Sequence, residues 1–75
     1  MKELVLKIVQ GLADNPESAK VEESEAQGVV RLHVTVADGD KGKIIGKQGK
    51  VIKAIRAVVG AAASKAGKKV AVEID

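Results

Sequence analysis

The chain carries the tetrapeptide Gly46-Lys47-Gln48-Gly49, preceded by Ile44-Ile45 and followed by Lys50-Val51-Ile52. Lys43 and Lys53 stand just outside it. Two glycines three apart permit a tight turn and close approach of another molecule to the backbone. A helix beginning at the second glycine would point free N–H groups and a partial positive charge at that turn. Lysines add full charges, and a glutamine amide adds a directional donor. These residue types in this order suit the binding of an anion, above all a phosphate backbone.

The spacing is not diagnostic by itself. The chain holds 8 glycines, and a second instance, Gly39-Asp40-Lys41-Gly42, lies just upstream. That one includes Asp40 and follows Asp38, which would repel phosphate, so it reads as a turn into a helix with one aspartate as its cap. The Gly46–Gly49 turn has no acid near it and reads as the working loop.

The distribution of charge agrees. Net charge is only +3, yet residues 1–40 hold 4 basic and 8 acidic groups, whereas residues 41–72 hold 9 basic groups and no acid. A basic half facing a polyanion is one reading; a solvated lysine-rich helix is the other. Aromatic residues are absent, which excludes nucleic-acid folds that stack bases on aromatic platforms. There is no cysteine and one histidine, His33. Disulfides, thiolate metal sites and a nucleophile–base–orienter set are therefore without parts, and no metal ligand set or cofactor is expected. No Gly-x-x-x-x-Gly-Lys-Ser/Thr pattern occurs, so an enzyme is not expected. No apolar run nears the ~20 residues of a membrane span, and the first residues lack a leader-peptide pattern. A cytoplasmic protein is the expectation.

The elements that must hold the loop can be read from periodicity. Leu4, Val5, Ile8, Val9 and Leu12 recur at helical spacing, predicting a helix over 2–13 that Asp14-Asn15-Pro16 ends. Residues 19–26, acidic and with Val21 as the one clear inward residue, read as an edge strand. Gln27-Gly28 reads as a hairpin turn. In the strand that follows, Val30, Leu32, Val34 and Val36 share one face, opposite Val29, Arg31, His33 and Thr35. A short helix over 41–45 stops at Gly46. A longer one runs from Lys50 to Ala66, with a core stripe of Ile52, Ile55, Val59, Ala62 and Ala66 widened by Val51 and Val58, and with Gly67 just past its end. Val70, Val72 and Ile74 alternate as a last strand. Ala57, Gly60, Ala61 and Ser64 line one side of the long helix, either packed on the first helix or kept for a second chain.

This order, α-β-β-α-α-β, with Ile44-Ile45-Gly46-Lys47-Gln48-Gly49-Lys50-Val51-Ile52 at its centre, closely resembles a K-homology (KH) domain of the type II arrangement. The resemblance spans essentially the whole chain and is nearest to the small stand-alone bacterial KhpA-type RNA-binding proteins. It implies an α+β fold, a single domain over residues 1–75, with a three-stranded sheet packed against three helices. It further implies a non-catalytic protein that binds single-stranded RNA, acting as an RNA chaperone or post-transcriptional regulator. Single-stranded DNA binding, or a dimerisation module with an idle groove, are the alternatives. By the same resemblance Gly46, Lys47, Gln48 and Gly49 clamp the sugar-phosphate backbone of about four nucleotides. Lys50 adds a full charge at the turn, and Ile45 faces the bases or the core. Lys41, Lys43, Lys53 and Arg56 read as second-rank candidates to extend the phosphate track, with ordinary surface charge as the alternative, favoured for Lys41 and Arg56. A homodimer, or a heterodimer with a larger KH-containing protein, is implied as well.

Overall fold

A computed structural model describes residues 1–74. Helix α1 (Lys2–Leu12) leads through a 3₁₀ turn, Pro16–Ser18, to strands β1 (Lys20–Ala26) and β2 (Val29–Thr35). A second 3₁₀ turn, Asp38–Asp40, opens α2 (Lys41–Ile45); the turn Lys47–Gly49 joins it to α3 (Lys50–Lys65), and β3 (Lys69–Ile74) follows.

The hairpin between β1 and β2 is two residues long, with Gln27 at φ 54° and Gly28 at φ 78°. Positive φ at both positions is the twist-matched geometry of tight antiparallel hairpins. Its register pairs Ala26 with Val29 and Val21 with Val34. Strand β3 joins the other edge of β2 in parallel, Leu32 opposite Val72, so the sheet order is β1-β2-β3. A parallel neighbour requires a crossover, and α2, the glycine turn and α3 are that crossover. The candidate loop thus lies in the connection that closes the sheet.

All three helices cover one face of the sheet. Val30, Leu32, Val34 and Val36 are buried there, against Val5 and Val9 of α1, Ile44 of α2, and Ile52, Ile55 and Val59 of α3. Burying an aliphatic side chain of this size stabilises the fold by about 1.5–3 kcal/mol. On the other face Arg31 Nη1 meets Glu73 Oε1 at 3.2 Å, and the register lines up Glu22, His33 and Glu73 across three strands.

Several sequence expectations are corrected. Leu4 and Leu12 are exposed, because α1 turns Val5 and Val9 into the core, with Leu6 and Ile8 half-buried beside them. The α3 stripe continues to Ala63, not to Ala62 and Ala66, and Val58 is 52% exposed. Ile52, Ile55, Val59 and Ala63 keep a single narrow face on the sheet. The small-residue line is not packed on α1: Ala57, Ala61 and Ser64 are exposed, and a Cβ on Gly60 would meet nothing within 4 Å. Neither Asp38 nor Asp40 caps α2 through its side chain.

The ends of α3 and α1 are held differently. Past α3, Gly67 (φ 73°) donates to the Ser64 carbonyl at 3.0 Å and Lys68 to the Ala63 carbonyl at 2.9 Å. This is the paired C-terminal cap for which glycine is favoured. At the start of α1 the acceptor is remote: the Lys2 N–H donates to Glu23 Oε1 at 3.1 Å. The same carboxylate oxygen lies 3.8 Å from the Met1 amino group. Glu23 of β1, read from sequence as part of a solvated acidic edge, thereby satisfies an orphan helix donor.

Candidate nucleic-acid interface

Helix α2 is short and ends sharply. The Gly46 N–H still reaches the Gly42 carbonyl at 2.8 Å, but Gly46 itself takes φ 77°, ψ 170°. That backbone region is essentially closed to residues with a Cβ. Space closes it a second time: a Cβ on Gly46 would lie 2.5 Å from Val51 Cγ2 and 2.7 Å from the Val51 nitrogen. The end of α2 therefore rests directly on the first turn of α3.

Gly49 is a different case. It is left-handed at φ 76°, ψ 15°, yet a Cβ there would make only ordinary contacts, 3.8 Å from Lys53 Cε and 3.9 Å from Ile52 Cγ2. Its requirement is conformational alone. Between the two glycines Gln48 is also left-handed, φ 58° and ψ 26°. For a residue with a side chain that conformation costs about 1–2 kcal/mol. The turn is closed by a hydrogen bond from the Gly49 N–H to the Gly46 carbonyl, 3.1 Å. No side chain caps α3, a 16-residue helix, so its first N–H groups open onto the turn with the positive end of the helix dipole.

The basic side chains fall into two groups. Lys47, Lys50 and Lys53 are exposed, and among the described residues none of them takes part in an ion pair. Four other basic residues of the basic half are engaged. Lys43 Nζ meets Asp14 Oδ2, Lys41 Nζ lies 3.8 Å from Asp38, and Lys68 Nζ lies 2.9 Å from Glu25. Arg56 donates to the Val72 carbonyl. Of the eight residues expected at the site, seven carry no internal ion pair, and Lys43 carries one.

Ile44 and Ile45 divide cleanly. Ile44 is fully buried and Ile45 is 40% exposed, which leaves Ile45 as an aliphatic surface beside the turn. A second apolar strip lies between α1 and α3, lined by Ile8, Val51, Ala54, Ile55 and Val58, with Lys50 at its end.

Sequence reading missed Asp40. It is 1% exposed and accepts two backbone hydrogen bonds, from Asp14 N–H to Oδ1 and from Asn15 N–H to Oδ2, both 3.0 Å. Those two donors, Asn15 foremost, hold its carboxyl below the usual aspartate range; burial opposes them and the Lys43 charge assists. It pins the segment after α1 to the start of α2. The one local clue was an aspartate standing immediately before the basic stretch.

Three helices on one face of a β1-β2-β3 sheet, with a Gly-x-x-Gly turn between the second and third, define a type II KH domain. Comparison with known proteins agrees. The family described as KhpA/KhpB, KH domain, matches residues 2–74. The RNA-binding protein KhpA of Clostridium perfringens is 51% identical over 74 residues, 99% of each chain. That of Clostridium acetobutylicum is 46% identical at the same coverage. That of Chlamydia trachomatis is 45% identical over 99% of this chain and 95% of its own. The chain belongs to the KhpA/KhpB KH-domain family, which is a family of binding domains and not of enzymes.

Proposed function

We propose that this chain binds short single-stranded RNA, with the phosphate backbone seated on the Gly46–Gly49 turn. The observation that carries the reading is the coincidence at one turn of two positive-φ glycines, an uncapped helix N-terminus and three uncommitted lysines. Gly46 and Gly49 admit the backbone, Lys47 and Lys50 meet phosphates, Gln48 donates from its amide, and Lys53 extends the track. Ile45 offers bases an aliphatic surface in place of aromatic stacking. With few directional groups at the site, sequence preference is loose, and a bacterial cytoplasmic role as RNA chaperone or post-transcriptional regulator is the reading that fits. The relatives' names support RNA as the ligand.

Fluorescence anisotropy with short labelled RNA and DNA strands tests this, comparing the native chain with Lys47→Asp/Gln48→Asp. Both side chains are exposed, so circular dichroism should be unchanged while RNA binding is lost. Normal binding by the folded variant would remove the loop from the interface. Stronger binding to DNA would replace RNA as the ligand.

A protein partner is a second proposal, a copy of this chain or a larger KH-containing protein. The exposed apolar strip between α1 and α3 favours it, as does the pairing of two proteins in the family's description. Light scattering of the native chain against Val58→Glu checks self-association. A monomer at every concentration would leave only the heterologous partner.

A further inference from the structure

Lys43 differs from the other lysines near the turn in being held by an acid whose own position is fixed. Its Nζ meets Asp14 Oδ2. Asp14 follows α1 and is remote in sequence, but its N–H donates to Asp40 Oδ1 at 3.0 Å, and that of Asn15 to Oδ2 at 3.0 Å. Asp40 is buried and stands immediately before α2. The carboxylate that precedes α2 therefore anchors the backbone bearing Asp14, and the Asp14 carboxylate reaches back to Lys43 on the same helix. Lys41 has a looser partner, Asp38, at 3.8 Å on its own local turn. Lys47, Lys50 and Lys53 have no acid partner among the described residues.

We propose that Asp14 is a built-in counter-anion that competes with RNA phosphate for Lys43 and holds the affinity of the basic surface below its full value. This rests on the reading that the chain binds RNA beside the Gly46–Gly49 turn. A phosphate arriving at Lys43 must displace the Asp14 carboxylate or share the ammonium with it, and must approach an added negative charge. Both effects act against binding. Because Lys43 and Asp14 are solvent-exposed, the competition is modest and reversible, as exposed ion pairs are. It weakens any anion at that end of the site and leaves Lys47, Lys50 and Lys53 to select for a strand that spans them.

The test is a double-mutant cycle by fluorescence anisotropy with one short labelled single-stranded RNA: native chain, Asp14→Asn, Lys43→Gln and the double variant. Asp14→Asn keeps the backbone N–H that Asp40 accepts; Asp14→Ala keeps it too and serves if the first variant misfolds by circular dichroism. Removing the carboxylate should tighten binding about two- to fivefold. The dependence of log affinity on log salt should steepen by about 0.7, the value for one added phosphate contact on a single strand. In the Lys43→Gln background the gain should shrink to the smaller part that comes from removing the negative charge alone. Asp14→Asn binding equal to native binding would overturn the proposal, as would a gain of the same size without Lys43. Failure of the native chain to bind RNA at all would instead overturn the underlying reading, and this one with it.

Discussion

Arg56 donates from Nε and Nη2 to one acceptor, the carbonyl oxygen of Val72, at 3.3 and 3.1 Å. The bond ties the exposed side of α3 to β3, whose other edge pairs only with β2. An arginine that looks like surface charge in the sequence is a brace between the crossover helix α3 and the strand it leads to. A planar guanidinium can hold one oxygen with two parallel donors, and an ammonium cannot reproduce that fork.

Arg56→Lys should therefore lower stability by about 1 kcal/mol, the usual net value of such a hydrogen bond. Urea unfolding followed by far-ultraviolet circular dichroism measures it. An unchanged midpoint would mean the brace contributes nothing net in solution.

The two glycines of the turn should respond differently to one substitution. Gly46 is crowded by Val51 and lies in a region nearly closed to other residues, whereas Gly49 is simply left-handed with room around it. Asparagine tolerates the left-handed conformation. Gly49→Asn should fold with stability within about 1 kcal/mol of native, and Gly46→Asn should lose several times that. Equal losses in thermal melts of the two variants would contradict the steric asymmetry.

Neighbouring isoleucines should separate folding from binding. Ile44→Ala removes a fully buried side chain and should cost about 2–5 kcal/mol. Ile45→Ser alters an exposed one and should leave the unfolding midpoint nearly unchanged while weakening RNA affinity. If Ile45→Ser destabilises as much as Ile44→Ala, the exposed position is supporting the core.

Asp40 makes stability depend on acid. Its carboxyl is held below the ordinary aspartate value by the N–H groups of Asn15 and Asp14. A depressed folded-state pKa gives a stabilisation that is fully present above the unfolded value of about 3.9 and is lost as pH falls through the folded value. Asp40→Asn removes this dependence, and its amide offers one acceptor where two N–H groups need two. Native and variant chains, unfolded in urea from neutral pH into the acid range, should differ most at neutral pH and converge in acid. A gap that stays constant with pH would assign the loss to packing alone.

What the sequence discloses here is what local pattern can encode. The alternation from Val29 to Val36 gives β2 and its buried face. Gln27-Gly28 gives the hairpin turn, Gly67 the end of α3, and the paired isoleucines before Gly46 the approach to the site. Positions whose role depends on distant partners are hidden. Leu4 and Leu12 have the right spacing for a core, but only the docking of α1 on the sheet decides that Val5 and Val9 take it. Asp40 looks like a local cap, and its partners are 25 and 26 residues away. Lys43 looks like a free cation until the chain folds Asp14 against it. The charges within the loop itself were legible because their neighbours in sequence are also their neighbours in space.

Strand β2 lies between the other two and alone has both edges hydrogen-bonded within the sheet. Amides along it can meet solvent deuterium only when a flanking strand detaches or the whole chain opens, whereas fraying of the outer edges of β1 and β3 needs neither. Exchange measured residue by residue should place Val30, Leu32 and Val34 among the last protons to disappear, their lifetimes tracking global unfolding. The Gly46–Gly49 turn, held only by short-range hydrogen bonds within the connection, should exchange early. One molecule would thus keep two clocks, a slow one in its middle strand and a fast one in the glycine turn between α2 and α3.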